Sequence, residues 1–137
     1  LSSGNIVHVG LNGAYVEPTI ALSSHDKNPL FKEELFVPIL LVDTFDDIKD
    51  ALRKANDVDY GLTAGLYSKN KREIKYFLDH IEAGVVYVNR RISATTGAIV
   101  GYHSFVGWKG SGITGKGTGN KYYLLQFMRE QSQAVVD

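Results

Sequence analysis

Three short strand-like runs that alternate with two helix-like segments restrict the fold of this chain more than any other feature of its sequence. Ile39–Val42 and Val85–Val88 are apolar at successive positions, and the run 62–67 between them is rich in small and apolar residues. Apolar side chains on both faces of a strand are typical of a parallel sheet that is covered by helices. The alternation therefore predicts an α/β fold with a βαβαβ unit.

The two helix-like segments carry start and stop signals. Thr44 and Asp47 match a capping box at the start of the first helix. Ser68 or Asn70 can cap the second helix, and Gly84 stands where a C-terminal glycine would end it. The apolar residues that we expect to face the core are Phe45, Ile48, Ala51, Leu52 and Ala55 in the first helix, and Ile74, Phe77, Leu78 and Ile81 in the second.

The flanks of this unit give weaker signals. The turn-prone pair Asn12-Gly13 separates two strand-like runs, 6–9 and 15–22, and predicts a hairpin. The segment 120–127 predicts a last helix whose aromatic and aliphatic residues face the core. The segment 132–136 predicts a terminal strand.

Composition excludes several classes of partner and site. The chain has 137 residues and 44% hydrophobic content, which suffices for one compact core, so we expect one domain. Lys+Arg and Asp+Glu both number 15, so no basic surface favours nucleic acid or an anionic membrane. The absence of cysteine excludes disulfides and thiolate metal sites, and a cytoplasmic protein fits it. The start at Leu1, with neither Met nor a basic leader, predicts a position within a longer protein.

Four histidines, His8, His25, His80 and His103, do not predict a metal site. None forms a His-x-x-x-His pair or has a carboxylate at ligand spacing, so we interpret them as incidental surface residues. The glycine-rich run 115–118 is also rejected as a phosphate loop, because the leading glycine and the following helix are wrongly placed.

A first candidate binding site precedes the strand Ile39–Val42. Pro38 biases Val37 towards an extended conformation, so Glu34 and Phe36 lie at a helix-to-strand elbow. A carboxylate at the edge of a crevice can accept hydrogen bonds from both hydroxyls of a ribose. The alternative is a solvated charged turn beside a core phenylalanine.

A second candidate follows Val85–Val88, where Asn89 ends the strand. The stretch 89–101 is rich in Gly, Ser and Thr, and small residues let backbone N–H groups approach and hold a carboxylate. The long loop in which it lies is typical of a functional loop. The alternative is a flexible loop whose arginines, Arg90 and Arg91, face solvent.

The two regions together resemble the aldehyde dehydrogenase family. The strings LFKEELFVP at 30–38 and FVGWKGSG at 105–112 match two of its motifs in the same order. The run TGAIVG at 96–101 resembles the 1-pyrroline-5-carboxylate dehydrogenase branch of that family. Val37, Ser104 and Val106 depart from the pattern, which usually has Gly, Pro and Gly at these positions.

The resemblance implies roles for named residues. Glu34 would bind the nicotinamide ribose of NAD or NADP, and Phe36 would pack beside that ribose and ring. The amides of Gly97 and Ala98 would hold the substrate carboxylate, and Phe105 would line the aldehyde tunnel. The intact enzyme would oxidise glutamate semialdehyde to glutamate in proline breakdown, with a cysteine thiolate as the nucleophile.

Because this chain has no cysteine, the resemblance implies that it contributes no catalytic residue and is inactive alone. We also expect it not to bind NAD by itself, because half a crevice leaves its ligand solvated. Residues 1–131 would be the C-terminal part of the catalytic domain. Residues 132–137 would be an oligomerisation tail that adds a strand to a neighbouring copy, so the implied partners are a small aldehyde and a homo-oligomer.

Two alternatives stay open. One is a non-catalytic binding or assembly module derived from the aldehyde dehydrogenase fold, which would join subunits through the terminal strand. The other is a domain that binds glutamate or a nucleotide by itself.

Overall fold

The computed structural model describes residues 4–6, 10, 12–13, 15–23, 28–91, 98–99, 101–114 and 116–137. Contacts divide the chain into two compact units, Leu1–Asp47 and Ile48–Asp137. The described residues form two-stranded sheets, two α-helices and two short 3-10 helices. The chain is thus a mixed α/β structure with parallel strand pairs, as the sequence predicts.

The first unit is built on a parallel pair of strands. β1 (Thr19–Leu22) pairs with β2 (Ile39–Val42), so the bounds of β2 match the predicted strand. A 3-10 helix, Pro29–Phe31, lies between them in the chain. Ahead of β1, an antiparallel bridge joins Ile6 and Val16, which is the kind of pairing that the predicted hairpin requires.

The second unit contains a β-α-β arrangement. β4 (Thr63–Leu66) and β5 (Val85–Val88) pair in parallel along their whole length, and α2 (Lys71–His80) connects them. The unit also contains β3 (Tyr60–Gly61), which pairs antiparallel with β6 (Trp108–Lys109). The predicted crossover from the second strand to the third is therefore confirmed.

The core of the second unit joins its two helices to β4 and β5. α1 (Ile48–Asn56) contributes Leu52, and α2 contributes Phe77, which is 4% exposed. Ile81 and Ala83, which follow α2, complete the buried cluster. Full burial of a large apolar side chain contributes about 2 kcal/mol, so this cluster anchors the strand from which the candidate substrate loop departs.

Two predictions for the helix ends are wrong and one is confirmed. α1 begins at Ile48, so the expected start at Thr44 is wrong. Asn70 caps α2, since its side-chain oxygen accepts a hydrogen bond from the Arg72 N–H at 3.0 Å. Gly84 does not end α2, which ends at His80 and continues into extended backbone.

Several residues that were expected in the core are exposed. Phe45 is 57% exposed because it precedes α1, and Leu78 is 53% exposed on α2. The segment 120–127 forms only a 3-10 helix, Leu124–Phe127. Its apolar side chains are exposed rather than buried: Tyr122, Tyr123, Leu124, Leu125 and Phe127. An apolar pattern indicates a face to be covered but not what covers it.

The described residues 128–137 form no strand, so the predicted terminal strand is not formed within this chain. Among the helices of the described residues, none has the length and apolarity needed to cross a membrane. The cytoplasmic location expected from the sequence stays a prediction.

Candidate functional site

The elbow that carries Glu34 and Phe36 connects the 3-10 helix Pro29–Phe31 to β2. The N–H groups of Lys32 and Glu33 both donate to the Pro29 carbonyl, at 2.8 and 3.0 Å, and complete the helical turn. The chain then runs without regular structure to β2. At the start of β2 the Thr19 N–H donates to the Pro38 carbonyl at 2.9 Å, so the elbow is attached to β1.

Glu34 and Phe36 are both exposed on this elbow. Phe36 is 91% exposed, so its interpretation as a core residue is wrong. Its backbone has a φ of 51°, a left-handed conformation that costs a residue with a side chain about 1–2 kcal/mol. Strained backbone of this kind is concentrated at functional sites. An exposed carboxylate beside an exposed ring suits a ribose and an aromatic base, and the binding role itself stays a prediction.

Asn89 fixes the point at which the candidate substrate loop leaves the sheet of the second unit. Its side-chain oxygen accepts from the Ser68 N–H at 2.9 Å, and its side-chain amide donates to the Ser68 carbonyl at 2.8 Å. These bonds tie the carboxyl end of β5 to the carboxyl end of β4. Ligand crevices of open α/β sheets lie at such strand ends.

An open cleft of about 650 Å³ lies along β5. Residues 84–88 line it together with Arg90, Ile99, Tyr102, His103 and Ser104. The cleft thus combines the apolar surface of a strand with a guanidinium, a phenol, an imidazole and a hydroxyl. Such a mixture suits a small ligand with an apolar body and an anionic group.

The described part of the substrate loop folds back on itself. The N–H groups of Tyr102 and His103 donate to the Ile99 carbonyl, at 3.0 and 2.9 Å. The Ile99 N–H lies 3.3 Å from His103 Nδ1, so in this contact the ring accepts through Nδ1. Ala98 is half-buried beside this turn. Gly97 lies outside the described residues, so the proposed pair of carboxylate-binding amides stays a prediction.

Phe105 is held by backbone pairing with Thr118. The Phe105 N–H donates to the Thr118 carbonyl at 3.1 Å, and the Thr118 N–H donates back at 3.2 Å. Phe105 is half-buried and lines a second cavity, of about 260 Å³, together with Leu62 and Ser111. Its backbone position is therefore fixed within the second unit, despite Ser104 and Val106, and its tunnel role stays a prediction.

Lys109 and Ser111 make contacts that sequence reasoning missed. Lys109 Nζ donates to the carbonyls of Asn56 and Val58, at 2.6 and 3.2 Å, and lies 2.5 Å from a carboxylate oxygen of Glu82. Ser111 Oγ accepts from the Gly61 N–H at 3.1 Å. The Lys-x-Ser spacing of the motif was the available signal, but it does not reveal these partners.

A family model described as the aldehyde dehydrogenase family matches residues 2–133. The chain belongs to the aldehyde dehydrogenase family. It is 37% identical over 119 residues to a protein of Staphylococcus aureus (strain JH1) named 1-pyrroline-5-carboxylate dehydrogenase. The aligned residues make up 87% of this chain and 22% of that protein. The chain thus spans about a fifth of the length of this relative.

Solved aldehyde dehydrogenases share its fold. Lactaldehyde dehydrogenase from Escherichia coli is 31% identical, with a TM-score of 0.79 over 95% of this chain and 25% of that one. A 1-pyrroline-5-carboxylate dehydrogenase from Thermus with bound NAD is 34% identical, with a TM-score of 0.67 over 84% of this chain and 22% of that one. The mixed α/β structure therefore corresponds to a portion of the aldehyde dehydrogenase fold.

In this aldehyde dehydrogenase chain, the described residues contain no cluster of three or more His, Cys, Asp or Glu side chains that could hold a metal ion. His80 stacks on Tyr76 with ring centroids 4.0 Å apart, and His103 contacts its own loop. His8 and His25 lie outside the described residues.

Proposed function

We propose that this chain is the C-terminal part of an NAD-dependent aldehyde dehydrogenase that oxidises glutamate semialdehyde to glutamate in proline breakdown. The observation that carries the proposal is the 37% identity, over 87% of the chain, to a protein named 1-pyrroline-5-carboxylate dehydrogenase. The Thermus structure of the same name, solved with bound NAD, supports NAD as the cofactor, with NADP as the alternative.

Glu34 and Phe36 contribute the cofactor contacts in this proposal. The Glu34 carboxylate accepts hydrogen bonds from the two hydroxyls of the nicotinamide ribose, and hydrogen bonds to a charged group contribute about 1.5–3 kcal/mol. The Phe36 ring packs against the ribose and its base. The exposure of both residues on one elbow supports this assignment, because neither is committed to the core of the first unit.

Gly97, Ala98 and Phe105 contribute the substrate contacts. The amides of Gly97 and Ala98 bind the carboxylate of the aldehyde, and the ring of Phe105 forms a wall of the approach to the nucleophile. Hydride acceptance is the chemistry that NAD supplies when bound. The family's nucleophile is a cysteine thiolate, and this chain contains no cysteine, so we propose that the 137 residues alone are inactive.

The two parts of the chain have different roles in this proposal. Residues 1–131 belong to the catalytic domain, and residues 132–137 form a tail that pairs with a strand of another copy. Val135 and Val136 are 91% and 93% exposed, which supports an apolar tail that is covered by a partner. When the tail pairs as a strand with the sheet edge of another copy, its backbone N–H and C=O groups are hydrogen-bonded.

A chimera tests the proposal directly. This chain replaces the aligned segment of the Staphylococcus aureus relative, and NADH formation is followed with glutamate semialdehyde and, as the control aldehyde, lactaldehyde. We expect turnover of glutamate semialdehyde, much slower turnover of lactaldehyde because it has no carboxylate, and none by the 137-residue chain alone. Sedimentation of the chimera, with and without residues 132–137, should show that the oligomer needs the tail.

Preference for lactaldehyde would contradict the proposed substrate. A folded chimera that assembles through the tail but oxidises neither aldehyde would contradict the proposed enzyme and favour the non-catalytic assembly module. An unchanged mass after removal of residues 132–137 would contradict the role of the tail.

A further inference from the structure

We infer that Lys109 and Ser111 are positioning residues for the aldehyde, because they clamp the segment 105–112 onto the second unit and thereby hold Phe105 in place. The inference rests on the proposed function for the role of Phe105, whereas the clamp itself is a matter of geometry within the second unit. Neither residue touches the reacting atoms in this account, so neither is a catalytic residue.

The Lys109 ammonium binds three groups from two different segments. It donates to the carbonyls of Asn56 and Val58 at the end of α1, and it forms an ion pair with Glu82 after α2. An ammonium has three N–H donors, so these contacts use its full capacity. The side chain is 24% exposed, so the surrounding protein partly shields the ion pair from water.

The backbone around Lys109 is also attached to the unit. Tyr60 and Lys109 are partners in the β3–β6 pair, and the Gly110 N–H donates to the Asp59 carbonyl at 2.9 Å. Lys109 has a φ of 50°, a left-handed conformation that is strained in a residue other than glycine. A lysine in this strained position indicates that its side-chain contacts offset the strain.

Ser111 closes the other side of the clamp. Its hydroxyl oxygen accepts from the Gly61 N–H at 3.1 Å, and the Ser111 N–H donates to the Trp108 carbonyl at 3.0 Å. A Cβ added at Gly107 would lie 1.9 Å from the Ser111 carbonyl oxygen, so the turn 107–111 leaves no space for a side chain there. The turn is therefore compact.

Phe105 lies at the edge of this compact turn. A Cβ at Gly84 would lie 1.8 Å from the Val106 carbonyl oxygen, and one at Gly117 would lie 2.5 Å from the Phe105 carbonyl oxygen. The backbone at 105–106 is therefore in close contact with residue 84 and with residue 117. The contacts of Lys109 hold the same segment at its other end, so we expect Phe105 to shift when they are removed.

The first arm of the test uses the full chain and needs no catalysis. Trp108 is the single tryptophan of the sequence and is the neighbour of Lys109, so its fluorescence reports on this segment. We expect Lys109→Met and Ser111→Ala to shift the Trp108 emission and to speed hydrogen exchange of the Gly61 and Phe105 amides by about tenfold. The matched control is Lys75→Met, which removes a surface ion pair of similar length, 2.6 Å to Asp79 within α2.

The second arm measures kinetics in the chimera. Lys109→Met should raise the KM for the aldehyde by about tenfold while the KM for NAD changes little, because the clamp supports the aldehyde wall alone. Gly84→Ala places a methyl group against the Val106 carbonyl. It should likewise raise the KM for the aldehyde and leave the KM for NAD nearly unchanged.

If Lys109→Met and Lys75→Met changed hydrogen exchange and fluorescence alike, the result would contradict the inference that Lys109 holds the segment 105–112 in place. An equal rise of both KM values would overturn the positioning role, since it would indicate general destabilisation. A chimera without dehydrogenase activity would contradict the proposed function and therefore also the role of Lys109 and Ser111 in aldehyde binding. The hydrogen-exchange data would still test whether these two residues hold the segment 105–112 in place.

Discussion

At the scale of single residues, three non-glycine residues of the described chain have a left-handed backbone: Phe36, Asn89 and Lys109. The side chains of Asn89 and Lys109 make several hydrogen bonds within the second unit, which offset the strain. Phe36 differs, because its ring is 91% exposed. Strained backbone beside an exposed carboxylate supports the proposed binding role of the elbow.

Asn89 gives the prediction at this scale. Asn89→Ala removes both bonds to Ser68 and leaves an alanine in a left-handed conformation, so we expect the free energy of unfolding to fall by about 2 kcal/mol. Asn89→Gly loses the same bonds without the strain and should lose less. Urea unfolding of the full chain measures both values, and equal losses would contradict the contribution of backbone strain.

Local pattern predicted the elbow but not the clamp. The position of Glu34 and Phe36 follows from Pro38 and the strand after it, which are neighbours in sequence. Lys109 bonds instead to Asn56, 53 positions away, and Ser111 bonds to Gly61, 50 positions away. Contacts at such separations depend on how the elements pack, and one sequence does not reveal this.

At the scale of elements, the strands were easier to predict than the helix ends. The bounds of the strands Ile39–Val42 and Val85–Val88 agree with the prediction. A continuous apolar run of four residues between amphipathic helices is too short for a helix and is typical of a buried strand. The predicted start of α1 was wrong, since the helix begins at Ile48 and not at Thr44. Gly84 resembled a helix terminator, yet the structure requires it for the close approach of the Val106 carbonyl.

The first turn of α1 carries a pH-dependent contribution to stability. A hydrogen bond from Arg53, at 2.7 Å, lowers the pKa of the Asp50 carboxyl below its ordinary value of 3.8, and the charge of Lys54 acts in the same direction. A lowered folded-state pKa stabilises the protein above the ordinary pKa, and this stabilisation is lost as the pH falls through the folded value.

We therefore expect Asp50→Asn to destabilise the chain slightly at neutral pH and not at pH values below the folded pKa. Urea midpoints of both proteins across the acid range measure the difference, which salt should reduce because the pair is exposed. A difference that does not change with pH would contradict the contribution of the Asp50 charge. Asp79→Asn on α2 is the comparison for removal of another carboxylate.

At the scale of the whole molecule, the order of motifs along the sequence predicted the family, while their structure divides into two units. The chain covers 22% of the length of the Staphylococcus aureus relative. Large apolar side chains between 122 and 127 are exposed, whereas the sequence pattern placed them in a core.

The most direct test of the account is the effect of Glu34→Gln on the KM for NAD, measured in the chimera with Glu33→Gln as the matched control. Both substitutions remove one charge from neighbouring exposed positions, but Glu34 alone is assigned to the ribose. We predict that Glu34→Gln raises the KM for NAD by about tenfold or more and that Glu33→Gln leaves it nearly unchanged. Equal effects of the two substitutions, or no effect of Glu34→Gln, would contradict it.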